Sequence, residues 1–234
     1  KEFFGGLGAN VFNPALTGRA FLVMSFPAAL TTWTMPRLPQ NAFANGAFSA
    51  DVITGASTLG ITRTGEGVAA VSKALAEAGL SNSDSYWAAM KTLFFGYRAG
   101  STGETSIFLI FAALIFLVLT KTIDWRMPVC MIATGLVSSV ALGMDPLLTV
   151  MSGGLVFGAV FMATDYVTTP VTGKGKVIFG IGAGLITMLI RKWGIYPEGV
   201  MFSILIMNAV TPFLNKLLAK KYGFVPQKKE GAAK

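Results

Sequence analysis

The sequence predicts an all-α polytopic membrane protein, on three observations. Of 234 residues, 53% are hydrophobic and only 13% charged, where a soluble domain carries about 25% charge. The mean hydropathy is +0.62. Long apolar runs recur along the chain, as they must when each spanning segment satisfies its own backbone polar groups as a helix. The formal net charge of +8 gathers in the loops and at the C-terminus. It therefore reads as membrane topology rather than as a nucleic-acid surface. The chain has no His, which excludes His-based acid–base or metal chemistry. The single Cys130 lies in an apolar run and reads as a small buried residue with no internal disulfide partner. No catalytic residue and no metal site is expected.

The elements follow in order, about six spanning helices with one re-entrant or interfacial segment. A glycine-rich stretch, residues 3–9, leads to Asn13-Pro14, a cap and first-turn pair for a helix running to about Trp33. Arg19 lies inside that helix. An ionisable group there costs about 2.5–3.5 kcal/mol on insertion scales, so it is either functional, or a snorkelling or structurally paired arginine. The polar segment 34–86 contains a short helix over 67–79, closed by Gly79. Residues 86–97 are apolar but too short to span, which suits an interfacial or re-entrant helix. The loop Arg98-Ala-Gly-Ser-Thr-Gly-Glu104-Thr105-Ser106 is glycine-rich, and such backbone at membrane depth is tolerated where it lines a cavity or is buried. Five further spans are expected over about 105–120, 127–144, 147–165, 176–193 and 198–218. The tight turns among their short links force antiparallel neighbours. Asp165 and the threonines after it put a carboxylate and hydroxyls at one helix end, either as a ligand contact or as an interface residue.

With the C-terminal tail on the cytoplasmic side, Lys1, the 121–126 link, the 166–175 loop with Lys176 and the tail share that side. Together they hold most of the Lys and Arg, as positive-inside topology requires. Arg191 and Lys192 run against this scheme. The whole chain reads as one transmembrane domain, 1–234, with an external loop region at about 34–104. No repeat of fixed period is evident.

The stretch Asp51-Val-Ile-Thr54-Gly55-Ala56-Ser57-Thr58-Leu-Gly60 stands out in that external segment. Gly55 frees the backbone and Ala56 adds little bulk, so the hydroxyls of Thr54, Ser57 and Thr58 can be presented where another molecule comes close. Alone, the string also describes an ordinary turn with a Ser/Thr helix cap.

Five strings in order give the chain a family resemblance: Gly5–Leu16, Asp51–Leu59, Gly100–Ser106, Phe161–Pro170 and Tyr196–Val200. The chain resembles the membrane flavoprotein subunits RnfD, of the Rnf complex that couples ferredoxin and NAD, and NqrB, of the sodium-pumping NADH:quinone reductase. The strings Gly194–Val200 and Ile206–Pro212, followed by a short basic tail, look more like RnfD. The resemblance covers residues 5 to about 224.

That resemblance implies covalent FMN, held by a phosphoester to the last hydroxyl of a D-x-x-[ST]-G-A-[TS] string. Mapped here, the acceptor is Ser57, within Asp51, Thr54, Gly55 and Ala56, with Thr58 the adjacent alternative. Ser stands where the family usually has Thr. Such an ester holds the flavin by its phosphate and leaves the ring free for redox work. The resemblance also implies a second, non-covalent riboflavin, with Arg19, Glu104, Thr105 and Asp165 as flavin contacts.

By the same resemblance the chain is an electron-transfer subunit in a bacterial inner membrane, its flavin loop external, pumping Na⁺ or H⁺ with partners. These would include a second FMN-bearing subunit, an iron–sulfur subunit and membrane lipid, with no nucleic acid. It would form the C-terminal part of a larger inverted-repeat bundle, with further helices upstream. The competing readings are an NqrB-type subunit and a flavin-free channel or transporter.

Overall fold

The computed structural model describes residues 8, 10–34, 54–55, 57–64, 67–77, 85–101, 103–194 and 198–218. Asp51, Ala56, Gly79, Tyr196 and the basic tail lie outside the described residues.

Among the described residues the chain is mainly helical, with one two-residue antiparallel ladder between β1 (Trp33–Thr34) and β2 (Thr54–Gly55). Asn13 caps α1 (Pro14–Ser25) as expected, its Oδ1 accepting from the Ala15 and Leu16 N–H groups at 3.0 and 3.4 Å. The helix expected to reach Trp33 instead breaks at Phe26. Pro27 opens a separate short helix, α2 (Pro27–Thr31). A proline has no N–H to continue the ladder but suits a first turn, so the chain restarts there.

Two short helices follow, α3 (Thr58–Thr64) and α4 (Val68–Glu77), then α5 (Tyr86–Phe95). With 10 residues, α5 is about 15 Å long, too short to cross a bilayer and in keeping with an interfacial or re-entrant segment. It buries Ala89, Met90 and Leu93 against Val71, Leu75 and Leu148, a small core separate from the main one. Gly96 ends it in the left-handed region, at φ +99. A Cβ there would lie 2.8 Å from the Ser106 backbone, so only glycine fits.

The main bundle consists of α6 (Ile107–Leu119), α7 (Arg126–Ala141), α10 (Gly173–Trp193) and α11 (Val200–Leu218). Of these, α10 and α11 are long and apolar enough to cross a membrane, while α6 and α7 are shorter apolar helices. The expected span 147–165 is not one helix. It divides into α8 (Pro146–Met151), α9 (Leu155–Phe157) and a π-helical turn, Gly158–Met162. The break falls at Ser152-Gly153-Gly154, where Gly153 takes φ +93.

Between apolar helices in lipid the hydrophobic drive is weak, and close packing of small residues takes over. Gly180 and Gly184, four apart on α10, do this against α7. A Cβ on Gly180 would meet the Met127 carbonyl oxygen at 2.8 Å, and one on Gly184 the Met131 carbonyl oxygen at 2.7 Å. Met131, Leu155, Ala159, Phe179, Ala183 and Ile204 close the core around them. A hydroxyl pair, Thr187 with Ser203 at 2.7 Å, ties α10 to α11 in that interior. The outer face stays apolar: Leu109, Phe116, Leu119, Val137, Phe213 and Leu217 are all exposed.

Candidate functional site

Two irregular loops meet at one end of the bundle, and Arg98 joins them. It is 3% exposed. Its Nε donates to the Thr105 carbonyl at 3.2 Å and its Nη1 to the Met151 carbonyl at 2.7 Å. Its Nη2 donates to the carbonyls of Glu104 and Gly153 at 2.8 and 3.3 Å. The break between α8 and α9 leaves carbonyls without helical partners, and a buried guanidinium with a planar fork of donors supplies them. This is how the glycine-rich loop 98–106 and the broken helix share one buried corner.

Glu104 lies within that corner, 5% exposed. Its Oε1 accepts from the Ser101 N–H at 3.4 Å. A Cβ on Gly154 would approach its Oε2 to 3.1 Å, so the glycine leaves room for the carboxylate. Arg191, near the C-terminus of α10, reaches the same corner, its Nη2 packed over Gly153 where a Cβ would come to 3.1 Å. On the other side Arg19 of α1 and Glu198 form an ion pair at 3.2 Å, both partly exposed. The sequence left Arg19 either functional or paired. It is paired, and it also lines a cavity.

That cavity, of about 50 Å³, is bounded by Arg19, Trp33, Ser57, Glu198, Met201 and Phe202. A smaller recess behind it joins Ser57 and Thr58 to Arg98, Glu104, Gly153 and Glu198. Ser57 is half-buried and Thr58 buried. The Ser57 Oγ accepts from the Gly60 N–H at 3.2 Å, and its carbonyl accepts from the Ile61 N–H at 3.0 Å. So Ser57 caps α3, the ordinary local role of a serine there. That cap uses the hydroxyl oxygen as acceptor and leaves its face toward the cavity.

The structure thus brings together Arg19, Ser57, Thr58, Glu104 and Thr105. Thr54 and Gly55 sit just before them in β2, paired with Thr34 and Trp33. Asp165 is elsewhere. It follows the π-helical turn at the opposite end of the bundle, where its Oδ2 accepts from the Thr168 hydroxyl at 2.9 Å. The helical stretch 155–162 carries the chain about 12 Å away from the corner before Asp165 is reached. Three charged members of the corner, Arg98, Arg191 and Glu198, were not among the expected contacts. Arg98 and Glu198 both sit inside or beside the strings that carried the resemblance. Arg191 gave only its discord with positive-inside topology.

Residues 1–223 match the family described as NQR2, RnfD, RnfE. The chain belongs to the NQR2, RnfD, RnfE family. Among curated relatives in that family, it is 45% identical over 223 residues to the D component of the proton-translocating ferredoxin:NAD(+) oxidoreductase complex of Clostridium ljungdahlii, covering 92% of this chain and 62% of that protein. It is 36% identical over 236 residues to the D component of the Na(+)-translocating ferredoxin:NAD(+) oxidoreductase complex of Acetobacterium woodii, covering 100% of this chain and 65% of that one. The D component of an ion-translocating oxidoreductase complex from Stutzerimonas stutzeri is 37% identical over 237 residues, with 93% of this chain and 64% of the relative covered. The chain therefore spans less than two thirds of the length of these NQR2, RnfD, RnfE family relatives.

Proposed function

We propose that this chain is the D-type electron-transfer component of an ion-pumping Rnf ferredoxin:NAD oxidoreductase complex and carries FMN as a phosphoester on Ser57. The observation that carries this reading is the placement of the Ser57 hydroxyl at a cavity backed by the charged corner. Three guanidinium groups, Arg19, Arg98 and Arg191, stand against two carboxylates, Glu104 and Glu198. Among the described residues one positive charge is left over, the complement of a singly charged phosphodiester on Ser57 in a place of weak screening. Ser57 borders both recesses and Thr58 only the inner one, which favours Ser57 as the acceptor.

A cavity of about 50 Å³ takes a phosphate linkage but no three-ring dye, so the isoalloxazine lies outside it. Bound FMN supplies one-electron redox chemistry. The protein's own part is to hold and orient. The Ser57 cap on α3 fixes the ester position, and Arg98 keeps the two loops beneath it in shape. Arg19, held by Glu198, offers a positive charge near the mouth of the cavity, where it stabilises added negative charge electrostatically. The complex as a whole moves H⁺ or Na⁺; the names of the relatives include both. The chain spans the membrane several times, with the Ser57 loop external.

The test uses the protein purified from cells that make a flavin transferase and run on a denaturing gel. The band fluoresces as a flavin, Ser57→Ala abolishes the signal and Thr58→Ala keeps it. A dark wild-type band sinks the flavin reading and leaves a transporter-like bundle. Signal lost only in Thr58→Ala moves the acceptor by one residue.

A further inference from the structure

We propose that Trp33 is the residue against which the isoalloxazine ring is held, its indole in stacking contact with the ring once FMN is joined to Ser57. The inference rests on the flavin reading and adds a positioning residue to it. The cavity of about 50 Å³ is too small for the ring, and Trp33 gives the ring a defined place at its mouth.

Reach limits the choice. The ribityl chain between phosphate and ring is only a few bonds long, so a ring tethered at Ser57 comes to rest close by. Two aromatic side chains among the described residues line the cavity, Trp33 and Phe202. Phe202 packs against the main core. Trp33 belongs to neither apolar core and is half-buried, with no other ring against it among the described residues. It also borders the inner recess together with Ser57, which Phe202 does not. A planar, largely apolar ring system needs an aromatic face to cover it, and an indole offers the largest one of any side chain.

The backbone fixes the indole at this place. Trp33 stands directly opposite Gly55 in the β1–β2 ladder. Opposed residues of an antiparallel pair project to the same face. Gly55 has no side chain, so the position across from the indole is open, two residues before Ser57. The ladder thus ties the segment carrying the acceptor hydroxyl to the tryptophan. Arg19 borders the same cavity, which places a positive charge near a ring held at Trp33.

The ordinary role of a partly exposed tryptophan in a membrane protein is to anchor it at the lipid–water interface. One optical property separates the two roles. An excited isoalloxazine in contact with an indole takes one electron from it and returns it, so emission is quenched with no net redox change. An indole that only anchors in lipid leaves the emission intact.

The flavin-bearing full chain is purified in mild detergent as wild type, Trp33→Phe and Trp33→Leu. Flavin per chain is read from a denaturing gel, and the emission lifetime is measured before and after unfolding. Wild type is expected to be several-fold dimmer folded than unfolded. Trp33→Phe should keep the gel signal and the melting temperature but lose most of that quenching, because a phenyl ring is far harder to oxidise than an indole. Trp33→Leu should behave in the same way, and if it does not fold, Trp33→Phe carries the test. Quenching unchanged in Trp33→Phe, or a wild type as bright folded as unfolded, overturns the proposal. Gel signal lost in both variants would show that Trp33 serves attachment rather than the attached ring, and also overturns it. A dark wild-type band is a separate result, because it sinks the flavin assignment itself.

Discussion

Both ends of the bundle carry a partly exposed ion pair, Arg19–Glu198 at one and Lys176–Asp124 at the other, but only one end adds buried cations. At the Ser57 end, Arg98 and Arg191 are buried and give their hydrogen bonds to backbone carbonyls. At the Asp124 end the charges are partly exposed and pair with each other, Lys176 reaching Asp124 at 3.2 Å. The first arrangement holds an irregular backbone in place; the second only ties a link to the next helix. Charge that is costly to bury is placed where the chain departs from regular helix, and the Ser57 cavity lies there.

The sharpest way to break this comparison is to remove Arg98. Arg98→Met leaves four carbonyls of two loops without their donor, and losing one partner of a buried charged network costs about 3–5 kcal/mol. Thermal melting of the solubilised protein should fall steeply and flavin attachment with it. Arg98→Lys should not rescue, because an ammonium lacks the planar fork. Melting unchanged in Arg98→Met would show that the loops hold themselves.

These residues also mark what could be read in advance. The ends of α10 and α11, the Asn13 cap and the shortness of α5 follow from apolar period, capping residues and length, all local properties. The divided segment 146–162 does not, because its composition is as apolar as a continuous span. Its break is stabilised by Arg98, some 53 positions earlier in sequence, and no local window contains that bond. The same holds for the site. Ser57, Glu104 and Thr105 were found through motif strings and Arg19 as an ionisable residue inside a helix, whereas Arg191 looks in sequence like a stray cation at a helix end. Asp165 came from the string Phe161–Pro170, and the helical stretch 155–162 separates it from them.

A middle-sized effect comes from the wall that joins the two ends. Gly184→Ala forces a Cβ to within 2.7 Å of the Met131 carbonyl oxygen and 3.0 Å of the Thr134 Cβ. Backbone on the facing helix cannot step aside, so α7 and α10 must separate, at about 1–3 kcal/mol. Gly18→Ala is the control. Nothing lies within 4 Å of its Cβ position, and the change should be neutral or stabilising by about 0.5–1 kcal/mol through helix propensity. Equal melting for the two variants would mean that close approach of α7 and α10 contributes nothing.

The smallest effect belongs to the Asp124 end and tests the other half of the comparison. Burial raises the Asp124 carboxyl, but hydrogen bonds from the Arg126 N–H and from Lys176, with both cations' charge, outweigh it and hold the group below its ordinary 3.8. A carboxyl lowered on folding stabilises the fold fully above its unfolded value and loses that contribution as pH falls through the folded one. Asp124 is 28% exposed on its side chain, so the contribution is about 1 kcal/mol or less. Wild type should therefore melt slightly above Asp124→Asn at neutral pH, and the gap should close only on acidification below 3.8. Added salt at neutral pH should narrow the same gap, since a half-exposed pair is screened, while the deficit of Arg98→Met should barely respond. If salt erased the Arg98 effect as readily as the Asp124 one, the two ends would not differ in kind, and the corner beneath Ser57 would be another surface ion cluster.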